Sequence, residues 1–271
     1  WTAIATAAIP VGSSRPSTTI AACSASSPPA PWPAPGSART PGHHDFWIIT
    51  RPGEQETFRR WLDWLPDHQD VVLAFRETDH GLKVLFADGH LVEYAVFDPD
   101  ELHVARVNSY CVLLDRERIG RRMEQIARAT RQRHAHDAPD PVWAFGQFLT
   151  HLIVGTGRHA RGELVSGHRF VMTHALEHLI RLIVAYVPAD RPTVLDDLDP
   201  TRRFERAYPE IGGRVATCLE ASVPAAAREL LDVAHEVLSD RLPDYPAAAV
   251  EVVRLHLAQV SADGDGFFSP R

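Results

Sequence analysis

An α+β fold, with a small mixed β-sheet followed by a C-terminal α-helical bundle, is predicted by three features of the chain. Short apolar runs bounded by turn residues occupy positions 43–116, the pattern of strands. Asp88-Gly89 lies between two of those runs, and this dipeptide favours a two-residue hairpin because both positions tolerate positive φ. From residue 117 onward, apolar side chains recur at helical spacing between prolines.

The elements follow in order. Residues 1–42 hold eight of the 21 prolines and only two charges, Arg15 and Arg39, so little packed structure is expected there. The composition changes abruptly at His43. In a chain whose 28 basic residues include a single lysine, Lys83, such a break also suits an upstream stretch translated from another frame. Residues 46–50 read as a buried strand. Residues 54–65 read as a helix with Phe58, Trp61, Leu62 and Leu65 on one face, and 71–75 as the next strand, a β-α-β opening. Segments 82–86 and 91–97 form the hairpin, Asp98-Pro99-Asp100 starts a short helix, and 110–114 is a last strand or a hinge. Helices are expected at 117–133, 141–158, 162–187, 200–220, 224–240 and 246–259. The predicted organisation is a tail over 1–42, a sheet domain over 43–116, a helical domain over 117–260 and a frayed end over 261–271.

Composition excludes several function classes. The 271 residues carry 35 acids against 28 bases, and the part beyond residue 42 is more acidic still, which disfavours a nucleic-acid surface and mildly favours cationic ligands. Cys23, Cys111 and Cys218 are odd in number and widely spaced, giving neither a disulfide framework nor paired zinc ligands. No run approaches the roughly 18 apolar residues of a membrane span, and neither the apolar start nor the segment 20–23 reads as an export signal. A cytoplasmic location without membrane or nucleic-acid partners is expected.

The chemistry-bearing residues cluster around the first strand. His43 and Asp45 are two apart, so a strand projects them to one face. Glu93 interrupts the apolar run 91–97, where an uncompensated carboxylate is expensive to bury. If their strands neighbour one another, Asp45 and Glu93 make an oxygen-donor site for Mg²⁺ holding nucleotide phosphates; otherwise they are an ordinary strand-end Asp and edge Glu.

These pieces resemble the nucleotidyltransferase superfamily with the DNA polymerase β-like fold, in particular its aminoglycoside adenylyltransferase-like branch. The matching parts are Gly36-Ser37, His43-x-Asp45 leading into the strand, and Glu93 after the hairpin; segment 157–163, opening a long helix, resembles the family's second domain. The resemblance implies Mg²⁺-dependent in-line transfer of a nucleoside monophosphate, AMP from ATP, to a hydroxyl of a small acceptor of aminoglycoside type. It further implies that Gly36, Ser37 and Arg39 bind the nucleotide. Asp45, Glu93 and His43 occupy the metal positions, with Asp45 and Glu93 catalytic and Glu163 the base that takes the acceptor proton. His43 stands where the family places an acid, and imidazole is a poor Mg²⁺ ligand. The alternative is therefore a catalytically inactive ligand-binding or interaction protein of the same fold.

A remoter alternative rests on His174-x-x-Glu177-His178, the H-x-x-E-H pattern of inverted zinc metallopeptidases, with Glu251 a distant third ligand. The histidines at 43–44 and 134–136 read as solvated. Asp199 before Pro200 reads as a helix cap, although the acids at 196–199 also suit a polycation. Trp61, Trp64, Phe145 and Phe148 read as core.

Overall fold

A computed structural model describes residues 19–23, 43–116, 118–136 and 139–264. The chain is α+β, with a six-stranded mixed sheet followed by helices. It divides into two compact units, 1–133 and 134–271.

The strands are β1 (Thr19–Cys23), β2 (His43–Ile49), β3 (Val71–Arg76), β4 (Gly81–Phe86), β5 (Leu91–Phe97) and β6 (Tyr110–Leu114), in the order β3-β4-β5-β2-β1-β6. Only β2 and β5 run parallel; the other neighbours are antiparallel. The period of two sorts the side chains between two apolar layers. Phe46, Ile48, Val84, Val92, Tyr94 and Val96 pack with Phe58, Trp64 and Leu65 on one face. Trp47, Ile49 and Phe97 pack on the other with Leu102 and with Met123, Ile126 and Ala127 of a helix at Gly120–His136.

Five expectations are corrected. Residues 19–23 form a strand inside the segment expected to lack structure, because Thr-Ile-Ala-Ala-Cys lies between Pro16 and Pro28 and is itself proline-free. The opening is not a β-α-β pair of neighbours, since β3 joins β4 at the far edge of the sheet. Helix α1 (Gln55–Arg60) stops at Trp61, whose backbone is extended and whose side chain is 61% exposed rather than in the core. In the hairpin, Gly89 alone takes a positive φ, +83°. Phe86 O accepts from Gly89 N–H and the Asp88 carboxylate from His90 N–H, so the loop is a three-residue turn closed by a left-handed glycine. The unit boundary also falls after Arg133 rather than at 117, because helix α2 (Gly120–His136) buries its apolar face on the sheet.

The second unit contains α3 (Pro141–Ala160), α4 (Leu164–Arg169), a π-helical turn (Phe170–Ala175) and α5 (Leu176–Tyr186), then α6 (Phe204–Ala207), α7 (Pro209–Glu220), α8 (Val223–Leu238) and α9 (Ala247–Gly264). Asp140 caps α3 through Trp143 N–H at 2.8 Å, with Pro141 in the first turn. Phe145, Phe148, Leu179, Ile183, Leu230 and Leu231 are in the core of this unit. Among the described residues no helix is long and apolar enough to cross a membrane.

Candidate functional site

Parallel pairing of β2 with β5 sets Asp45 opposite Glu93. Their side chains share the sheet face that Trp47, Ile49 and Phe97 occupy further along, just before those apolar residues begin. Asp45 is exposed, and the Glu93 side chain is about one-third exposed (32%). The antiparallel β4 continues the row by placing Lys83 opposite Glu93. Lys83 Nζ lies 2.8 Å from Glu77 Oε1 and 3.5 Å from Glu93 Oε1. The hydrogen bond to Glu77, reinforced by Glu93, raises the Lys83 pKa and keeps the ammonium charged. A carboxylate, a carboxylate and an ammonium thus line up across β2, β5 and β4. The pair offers the hard oxygen donors that Mg²⁺ takes one or two at a time, leaving its other positions to water and phosphate.

The neighbouring residues take different roles. His44 points to the opposite face, is buried, and sets Nδ1 2.8 Å from Nε2 of buried His90, so it is not a solvated histidine. His43 pairs in backbone register with Leu91, and its side chain lies outside the described residues, as do Gly36, Ser37 and Arg39. Glu163 belongs to the second unit, where its carboxylate lies 3.0 Å from Arg161 Nε and 3.9 Å from Arg158 Nε between α3 and α4.

At the other end of β5, a network missed in the sequence holds the chain as it leaves the sheet. The Arg59 side chain, 7% exposed, donates to Val96 O at 2.6 Å and to Glu101 Oε2 at 2.8 Å. Asp98 accepts from Gln55 Nε2 and from the N–H groups of Asp100 and Glu101. These three bonds occupy most of the acceptor positions of the Asp98 carboxylate, so the cluster orients the chain after β5. Its only sequence signal is the Asp-Pro-Asp punctuation.

The zinc metallopeptidase pattern does not assemble. His174 and His178 turn toward His151 of α3, with ring centroids 5.5 and 5.4 Å from it, while Glu177 pairs with Arg181 and Glu251 with Arg254. Among the described residues no three His, Cys, Asp or Glu side chains converge on a metal position. In the acidic loop, Asp196 is the buried member, accepting from Leu198 and Asp199 N–H and pairing with Arg202 and Arg203. Asp199 accepts from Thr201 as a local cap.

No protein-family model matches the chain, and no curated protein matches it. Among solved structures, the crystal structure of an aminoglycoside 6-adenyltransferase from Bacillus subtilis aligns over 81% of this chain and 88% of that chain. The identity is 14% and the TM-score 0.32.

Proposed function

We propose that the protein is a nucleotidyltransferase that moves a nucleoside monophosphate, AMP from ATP, onto a hydroxyl of a small aminoglycoside-like acceptor. The observation that carries the reading is the register of β2 and β5, which sets Asp45 beside Glu93 on one face of the sheet. Two adjacent carboxylates are the donor set a hard divalent cation needs alongside a triphosphate. Mg²⁺, when bound, supplies charge neutralisation for in-line displacement of pyrophosphate.

The remaining work is assigned to the chain's own groups. Asp45 and Glu93 hold the cation side of the triphosphate. Charged Lys83, in the same row, offers a hydrogen-bond donor to phosphate oxygen and limits repulsion between the carboxylates and the incoming anion. Gly36, Ser37 and Arg39 complete the nucleotide side, His43 takes the third metal position, and Glu163 accepts the acceptor's hydroxyl proton. Purified protein with ATP, Mg²⁺ and a panel of aminoglycosides should release pyrophosphate. Asp45→Asn or Glu93→Gln should each lower the rate by more than about 100-fold. Absence of turnover and of any ATP·Mg²⁺ thermal shift defeats the proposal.

The Lys83–Glu93 contact favours a second reading, since an ammonium 3.5 Å away already neutralises part of the acidic site. In that reading the protein is a silent binding protein of the same fold, and Asp45→Asn leaves its behaviour unchanged.

A further inference from the structure

A groove of about 410 Å³ runs within the second unit between the helix carrying the π turn and α6–α7. Its floor is apolar and buried: Leu176, Ile180, Phe204 and Val215 are each at most 8% exposed. Its rim carries two ionisable side chains, Glu177 and Glu205, both acidic and exposed, from opposite walls. The wall at α6 is held close because Gly212 of α7 abuts the backbone of Glu205: a Cβ there would fall 2.4 Å from Glu205 Cα. Arg181 pairs with Glu177 at 3.2 Å from one turn further along α5 but does not line the groove.

An apolar floor of this size suits a small organic body, and a rim whose ionisable lining groups are Glu177, shared with Arg181, and Glu205 disfavours an anionic head group and favours a cationic one. We propose that this groove binds an amphipathic amine, with the apolar part over Leu176 and Phe204 and the ammonium between Glu177 and Glu205. The groove uses neither Asp45 nor Glu93, and its existence does not depend on the nucleotidyltransferase reading.

The chain contains two methionines, which supply a built-in reporter. Met172 lines the groove, whereas Met123 is buried against the sheet in the other unit. Methyl-labelled protein is titrated with n-octylamine below its micelle threshold, and in parallel with n-octanol, octanoate and spermidine. The expected result is a saturable shift of the Met172 methyl with octylamine that leaves Met123 still. Octanoate should bind about tenfold or more weakly, and spermidine should produce no groove shift. The double variant Glu177→Gln/Glu205→Gln should erase the preference for the amine over the alcohol. Ala216→Trp, at an exposed groove position, should abolish the shift while circular dichroism stays unchanged. Equal response to octylamine and octanoate overturns the proposal, as does a response that survives Ala216→Trp. Concentration-dependent dimerisation that broadens Met172 without any amine response also overturns it and makes a second copy the occupant.

Discussion

Gly167→Ala is expected to destabilise the helical unit by about 3 kcal/mol, and Gly155→Ala by a similar amount. The two glycines are the contact point where α3 and α4 cross. A Cβ on Gly167 would lie 2.8 Å from Gly155 O and 2.9 Å from both His159 N and His159 Cβ. A Cβ on Gly155 would meet Val171 Cγ2 at 2.6 Å and Gly167 O at 3.1 Å. Much of this opposition is backbone, which cannot swing aside as a side-chain tip can, so the helices must separate and shed packing around Phe145, Phe148 and Val171. Gly146 and Gly213 provide controls of opposite sign. Both are helical with nothing within 4 Å of a built Cβ, so alanine there should stabilise by about 0.5–1 kcal/mol through helix propensity. Urea unfolding of the four variants checks the contrast. If Gly167→Ala is as stable as the parent, the close crossing is wrong.

The same contrast marks what the sequence discloses. β4 and β5 are legible because every second residue, Leu82, Val84, Phe86 and Val92, Tyr94, Val96, is buried, a period that survives any tertiary context. β1 is not, because its small residues carry little apolar signal and its place between β2 and β6 depends on long-range pairing. At the candidate site, the period of two gives the face of Asp45 but says nothing about which strand lies beside it. The parallel pairing with β5, which brings in Glu93, is decided by topology. Lys83 is conspicuous in the sequence as the single lysine, yet its neighbour Glu93 emerges only from the hairpin register. Trp61 shows the opposite failure, since a helical repeat continued on paper beyond Arg60, where the chain turns extended. The contacts between α3 and the helix after it are hidden for another reason: Gly155 and Gly167, or His151 and His174, have no spacing rule linking them.

Those histidines lead to the second large expected effect, a loss of stability of the helical unit as the pH falls below about 6.5. His151 of α3 faces His174 in the π turn and His178 of α5, with Phe170 and Trp143 forming ring contacts at the edges of the cluster. Burial lowers the His151 pKa, and the charges His178 and His174 would carry lower it further; a backbone hydrogen bond at His174 opposes this only in part. Burial likewise lowers the His178 pKa, with Arg181 and His174 acting in the same direction and Glu177 against it. Because both folded-state values lie below the unfolded one, the unfolded chain takes up protons first. The stability associated with the neutral rings is therefore complete above the unfolded pKa and is lost as pH drops from about 6.5 toward the folded values. The melting temperature should be level from pH 8 to 7 and fall steadily from 6.5 to 5. His151→Leu keeps the volume and removes both the titration and its repulsion of His178, so it should flatten that fall. NMR titration of the imidazole protons gives the direct check, with His151 and His178 resonances midpoint-shifted to acid pH. A His151 midpoint at or above 6.5, or a melting profile unchanged in His151→Leu, rules the effect out.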